Sequence, residues 1–383
     1  MSIKGFATPE GTRRYRERFE GKSAGGLAIA EGHFRETAQR LSLTSLGMGT
    51  YLGSLDEQTC RQMTDAAVRS VASGAINVLD TAINYRYQLS ERALAKALKE
   101  LLAQGFQRDE IFICSKNGFI SPDAERQQRG EDFREWFRTR YIDSGMIQPE
   151  DIVGGMHCMA PAYLEDQLNQ SLANLDVGTL DLIYLHNAAE SQLPEIGRET
   201  FMRRLRQAFE FYEKARAEGR IRYYGMATWN CFRVEPEESG EYLGLQDVVR
   251  LAESVGGAEH GFRFVQLPFN LAFTEALTLA SQPLQDEQND EMLSLLEAAM
   301  ALGLGVFTSV PLLQGQLLSE TRLPKFEGLE TPAQECLQFV RSNPGVLAPL
   351  VGHKQPGHVA QNLRVASVPP LVLAEFEEML SSS

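Results

Sequence analysis

The 383-residue chain lacks several features that would place it quickly. No apolar run approaches the roughly 18 residues that a membrane-spanning helix needs, so a membrane protein is not expected. Its five cysteines (Cys60, Cys114, Cys158, Cys231 and Cys336) are scattered, odd in number and free of any CxxC spacing. That pattern predicts reduced thiols rather than a disulfide frame, and with it a cytoplasmic location. Arg13, Arg14, Arg16 and Arg18 are followed by no apolar core, so no secretory signal is expected. Glu10, Glu17 and Glu20 break up the same basic residues and argue against a transit peptide. Positive charge is also short. Lys and Arg total 37 against 51 Asp and Glu, a formal net charge of -14, which argues against a nucleic-acid partner. Only six histidines occur, and no HxH pair closes the first apolar run, so no metal site is expected and a metal-dependent hydrolase reading is weak. His157 beside Cys158 reads as part of a loop.

What the chain does have is rhythm. Hydrophobic residues make up 43%, enough for a large core. Short apolar runs recur at Ser45–Tyr51, Ala75–Asp80, Glu110–Ser115, Leu180–His186, Ile221–Met226, Phe262–Leu267, Gly305–Ser309 and Val346–Val351. Helical stripes lie between them, such as Leu164, Leu168, Leu172 and Leu175, or Leu205, Ala208, Phe209 and Tyr212. Eight strand–helix alternations predict an α/β protein with a parallel sheet, either open or closed. An open dinucleotide-binding sheet would carry GxGxxG after its first strand. Here Gly47-Met48-Gly49-Thr50-Tyr51-Leu52-Gly53 sets the last glycine one residue too far along. The expected fold is therefore a (β/α)8 barrel over residues 43–368, with an N-terminal arm or cap (1–42) and a C-terminal tail (369–383). Long segments from Lys116 to about Pro161 and from Pro311 to Pro332 are expected to enclose the C-terminal face of the barrel, where such folds place their active sites.

Three successive strand ends carry chemistry. Asp80 closes the second run, Lys116 follows the third and His186 closes the fourth, with Tyr85 five residues beyond Asp80 and Tyr87 close by. A buried lysine and a buried aspartate each need a partner, and here each can supply the other.

The run Asp80-Thr81-Ala82-Ile83-Asn84-Tyr85, then Ser90-Glu91, resembles the signature of the aldo-keto reductases. Ser115-Lys116 and Leu185-His186 follow in the family's order. So do Gly219 to Gly225, Gln266-Leu267-Pro268-Phe269-Asn270, Pro311 to Leu317 and Gln361-Asn362. The likeness spans about Leu43 to Ala366. It implies a catalytic tetrad of Asp80, Tyr85, Lys116 and His186. In that tetrad Tyr85 exchanges the proton, Lys116 lowers the phenol's pKa, Asp80 holds Lys116, and His186 orients the carbonyl. It implies cofactor contacts from Thr50, Asp80, Thr228, Gln266, Pro311, Leu312, Gly315, Lys354, His358, Gln361 and Asn362. A loop carrying Lys354 into a helix N-terminus favours NADP(H) over NAD(H).

The chain departs from the family at Ala227-Thr228-Trp229-Asn230, at Thr308-Ser309-Val310, where no aromatic directly precedes Pro311, and at His358 and Gln361. The expected activity is hydride transfer between NADP(H) and a small carbonyl, alcohol or sugar. The alternative is a non-catalytic, nicotinamide-binding regulatory subunit of the same fold.

Overall fold

A computed structural model describes residues 2–24, 27–236, 240–285, 290–320 and 322–381. Eight parallel strands close into a barrel, each hydrogen-bonded to its neighbours in chain order: β1 (Gly47–Gly49), β2 (Val78–Asp80), β3 (Phe112–Asn117), β4 (Leu180–His186), β5 (Ile221–Ala227), β6 (Phe262–Pro268), β7 (Gly305–Ser309) and β8 (Val346–Gly352). A helix follows each strand on the outside: α1 (Glu57–Ala72), α2 (Leu89–Ala103), α3 (Pro161–Leu175), α4 (Arg198–Ala217), α5 (Leu245–Gly256), α6 (Leu295–Ala301), α7 (Pro332–Ser342) and α8 (Pro356–Leu363). This is the expected (β/α)8 barrel.

Strand pleating explains which side chains fill it. Inward positions supply Val78, Phe112, Cys114, Leu182, Tyr184, Phe264, Phe307, Ala348 and Leu350, packed as one cluster. Outward positions meet the helices, including the stripe residues Leu164, Leu168 and Leu175 of α3 and Leu205, Ala208, Phe209 and Tyr212 of α4. Gly225 lies at a register shift between β5 and β6; a Cβ there would sit 2.0 Å from the Phe264 carbonyl oxygen, so only glycine fits.

The strands differ in extent from the sequence expectation. β1 is only three residues long, and β3 runs on through Asn117, so Lys116 lies inside the strand rather than after it. Among the described residues of the first forty, polar and irregular by sequence, regular elements form. Pro9–Phe19 is a helix whose N-cap Thr8 accepts from the Gly11 amide, and Phe34–Glu36 pairs antiparallel with Ser42–Thr44. These segments cover the N-terminal end of the barrel. There the Ala7 amide donates to Asp181 at 2.6 Å, and the Tyr15 hydroxyl donates to the Val71 carbonyl at 2.7 Å. The last segment is also structured: Leu373–Ser381 is a helix, and Phe376 packs on Phe339 with ring centroids 5.8 Å apart.

Candidate active site

At the C-terminal ends of the strands lies a cavity of about 720 Å³, within the size range usual for small-molecule and cofactor sites. β2 ends in Asp80, β4 ends in His186, and both reach it; β3 carries Lys116 just beneath. After β2 the chain turns at Thr81–Tyr85, closed by a hydrogen bond from the Tyr85 amide to the Ala82 carbonyl at 3.0 Å, and this turn sets the Tyr85 ring into the cavity wall. Tyr87 does not line the cavity; its carbonyl accepts from the Ala124 amide instead. Arg86, Tyr87 and Gln88 then take left-handed backbone (φ +50°, +51° and +73°), a strained run for non-glycine residues of the kind often found beside functional groups.

Lys116 is fully buried. Its Nζ donates to Asp80 Oδ1 at 2.5 Å and to the Thr81 carbonyl at 2.8 Å, and lies 4.8 Å from the centroid of the Tyr85 ring. The second Asp80 oxygen accepts from Gln266 Nε2 at 3.1 Å. Burial works against the ammonium, but Asp80 and Tyr85 outweigh it and hold Lys116 above the usual lysine value, so it stays charged. Burial pushes the Asp80 carboxyl up, opposed by Lys116 and Gln266.

At Tyr85 the Lys116 ammonium pulls the phenol down, the direction expected from the sequence, but a second effect opposes it. Burial is the larger effect and raises the phenol above its ordinary value; Lys116 pulls back only part of that rise. Tyr85 is therefore firmly protonated at neutral pH. Burial also holds His186 well below the usual imidazole value, with Lys116 adding to the effect, so the ring is neutral. Its Nδ1 is enclosed without a hydrogen-bond partner, leaving Nε2 toward the cavity. A bare lone pair is the lesser penalty at an enclosed, unpartnered nitrogen, which favours the tautomer with its proton on Nε2. The Tyr85 and His186 rings meet edge to face at 5.8 Å. Tyr51 packs against Tyr85 at 5.0 Å, and Phe119 packs against His186 at 5.0 Å.

Of the other residues singled out in the sequence, Thr50, Thr228, Gln266, Pro311, Leu312, Gly315, His358, Gln361 and Asn362 all line the cavity. Lys354 does not; it stands half-buried two residues before α8. Among the described residues no lysine or arginine is part of the lining. Phe307 is also outside the lining, because its inward register stacks it against Phe112 and Phe264 inside the barrel; Ser309, two residues on, reaches the cavity instead. The segment Pro311–Pro332 contributes wall residues as expected. The long segment after Lys116 contributes only Phe119, while its Tyr141, Ile147 and Cys158 pack to one side with Tyr163 of α3.

Sequence reasoning passed over Tyr51, Leu52, Trp229 and Leu318, all more than a third exposed at the cavity. It also passed over Glu190, whose Oε1 accepts from the amides of Trp229, Asn230 and Cys231 at 2.7, 2.7 and 3.1 Å. Among the described residues no cluster of His, Cys, Asp or Glu suits a metal, and no helix is long and apolar enough to cross a membrane.

Eight parallel strands closed in chain order, with a lysine–aspartate pair under a phenol and an imidazole at one end, make this a (β/α)8 barrel with its candidate site at the C-terminal face. The chain belongs to the aldo/keto reductase family, which it matches over residues 45–382. Among curated proteins it is similar to a putative voltage-gated potassium channel subunit beta of Schizosaccharomyces pombe, 22% identical over 362 residues, covering 89% of this chain and 91% of that one. Among solved structures it is similar to an aldo-keto reductase of Klebsiella pneumoniae in complex with NADPH (19% identity, TM-score 0.58, 92% and 95% coverage). It is likewise similar to a glycerol dehydrogenase of Gluconobacter oxydans (17% identity, TM-score 0.59, 92% and 95% coverage).

Proposed function

We propose that this chain is an NADP(H)-dependent oxidoreductase that interconverts a carbonyl compound and its alcohol, with Tyr85 as the proton-exchanging group. The observation that carries this reading is the Tyr85 ring at the cavity wall, 4.8 Å from the ammonium of the buried Lys116–Asp80 pair and edge to face with His186. Family membership and the NADPH complex of the Klebsiella pneumoniae relative support it.

The cavity suits a dinucleotide in its run of residues. From Tyr85 and His186 it passes Thr228 and Gln266, then the loop from Val310 to Gly315, then His358, Gln361 and Asn362 on α8. Gln266 and Thr228 would hold the nicotinamide amide, and the N-terminal turn of α8 would face phosphate. Bound NADP(H) supplies or takes up the hydride.

The residues of the chain manage the proton and the geometry. In reduction the carbonyl carbon gains a hydride, and the oxygen gains a proton from the Tyr85 hydroxyl. The resulting phenolate is stabilised by the Lys116 ammonium until solvent returns the proton. Asp80 keeps Lys116 charged and fixed. His186 Nε2–H donates to the carbonyl oxygen and fixes its direction. Tyr51 packs on Tyr85 and Phe119 on His186, Leu52, Trp229 and Leu318 also line the cavity, and among the described lining residues Asp80 is the one carboxylate and no lysine or arginine occurs, so an apolar aldehyde or ketone fits better than a sugar.

Titration with NADPH and NADH, followed by cofactor absorbance against aldehydes, ketones and sugars, tests the reading. Tyr85→Phe should bind NADPH as the wild type does and lose about 10²–10⁴-fold in turnover. Turnover that survives loss of the phenol would sink the assignment. The channel-subunit relative supports a second reading, a nicotinamide-binding regulatory subunit. Tight NADPH binding without turnover of any carbonyl would select it.

A further inference from the structure

A histidine outside the cavity is tied to His186. His157 sits on a short antiparallel pair, Ile152–Val153 with His157–Cys158, within the segment between β3 and α3. It is fully buried, and its Nε2 lies 2.8 Å from the main-chain carbonyl of His186. A carbonyl can only accept, so Nε2 carries the proton and Nδ1 is bare. The surroundings agree: Gln192 Nε2 lies 2.9 Å from Nδ1 and donates to it. Gln192 belongs to the helix Ala188–Ile196, which starts two residues after His186. Its own Oε1 accepts from Arg204 of α4 at 3.1 Å, and Arg204 also donates to the Glu150 carbonyl at 2.8 Å. A guanidinium thus polarises an amide, the amide an imidazole, and the imidazole the peptide that carries His186. Each hydrogen bond in such a chain strengthens the next.

The ring of Phe119 lies between the two imidazoles, edge to face with His157 at 5.2 Å and with His186 at 5.0 Å. Gly118 makes room for this. Its φ is +112°, and a Cβ there would stand 2.7 Å from His157 Nε2. Burial lowers the His157 imidazole to about 4, so its donor role holds across the neutral range.

We propose that His157 is a positioning residue for the reaction: through its hydrogen bond to the His186 carbonyl and its contact with Phe119, it sets the direction in which the His186 imidazole meets the substrate oxygen. The proposal rests on the catalytic reading above. It predicts a split in function rather than general damage, because displacement of an orienting group by a fraction of an ångström weakens the chemical step while leaving cofactor binding alone.

The test compares His157→Leu, which removes both hydrogen bonds, with His157→Gln, whose amide can still donate toward the His186 carbonyl. Gln192→Met serves as a milder variant should His157→Leu not fold. Two readouts are taken: steady-state kinetics with NADPH and an aldehyde, and the imidazole signals of histidine-labelled protein, in which only six histidines need be assigned. In His157→Leu, kcat should fall about 10–100-fold while the Kd for NADPH changes less than about twofold, and the His186 signal should move. His157→Gln should restore kcat to within about threefold and return the His186 signal toward its wild-type position. Gln192→Met should shift both readouts the same way, by less.

A folded His157→Leu with wild-type kcat and an unmoved His186 signal overturns the proposal. So does a loss of turnover accompanied by an equal loss of NADPH binding in both His157 variants. If the wild type turns over no carbonyl at all, the catalytic reading fails separately. The His186 signal alone then decides whether His157 positions that ring.

Discussion

A lysine enclosed on every side holds its charge only while an anion answers it. Lys116 has one carboxylate within reach, Asp80, and that carboxylate has only Lys116 and Gln266. Lys116→Met keeps most of the side-chain volume but leaves Asp80 buried and unpaired, a change of the kind that destabilises by about 3–5 kcal/mol. Urea unfolding should show it. Under the proposed reading the same variant also loses the charge that opposes burial at Tyr85. The phenol then rises further, and the pH limb of alcohol oxidation should move to higher pH. A limb that stays put would mean that Lys116 does not sense the phenol. Asp80, Lys116 and His186 were legible in the sequence because each stands at or next to a strand end, where apolar neighbours mark a polar group as unusual; Tyr85, five residues past β2, was picked out by the family resemblance. That Lys354 stands outside the cavity lining was not legible, because spacing along a loop says nothing of which way the loop faces. Phe307 could not be placed without the pleat, which turns it into the barrel rather than up toward the cavity. His157 read as a loop residue, since its partner lies 29 residues away and is a main-chain carbonyl, which no side-chain pattern announces.

At the scale of elements, the loop after β5 is held by one carboxylate. Glu190 lies in the helix after β4 and receives three successive amides, of Trp229, Asn230 and Cys231. Arg233 completes the clasp by donating to the Trp229 carbonyl at 2.7 Å and to Glu275 at 2.8 Å. This loop begins at Thr228, one of the cavity residues. Glu190→Ala strands three amides that had a charged acceptor, each such bond contributing about 1.5–3 kcal/mol. A loss of at least about 2 kcal/mol in thermal or urea unfolding is expected, together with weaker NADPH binding. Unchanged cofactor affinity would show that the loop keeps its shape without the clasp. The alternation of strands and helices was readable because periods of two and 3.6 switch cleanly along the chain. The clasp was not, because Glu190 and Trp229 are joined only when β4 and β5 lie side by side. The N-terminal helix escaped notice because its surface is charged and its buried face, Gly11, Thr12, Tyr15 and Phe19, holds just two large apolar side chains.

For the molecule as a whole, acid should be the weak side. His33, His157, His186, His260 and His353 are all held below the ordinary imidazole value by burial. His353, whose Nε2 lies 3.0 Å from the Ser70 hydroxyl, is lowered to about 4. In the unfolded chain the same ring titrates near 6.5, so between those values the unfolded state binds the extra proton. The stability that His353 contributes is present above about 6.5 and is lost as pH falls through about 4, up to about 3 kcal/mol. His353→Gln should flatten the fall in unfolding free energy across that window by nearly one proton. An unaltered slope would place the acid sensitivity elsewhere.

The five cysteines carry a consequence of another kind. All are buried and unpaired, and in Cys114, Cys158, Cys231 and Cys336 burial also raises the thiol above its ordinary value. A native molecule so arranged offers little thiolate to an alkylating reagent, which makes the wild-type chain a clock for its own opening. Cys60 lies near the start of α1, where Arg86 reaches both its sulfur at 3.1 Å and the Ser54 carbonyl at 2.9 Å. Its labelling rate records the release of the loop beside the cavity, and the labelling rate of Cys114, inside the barrel, records the unfolding of the whole.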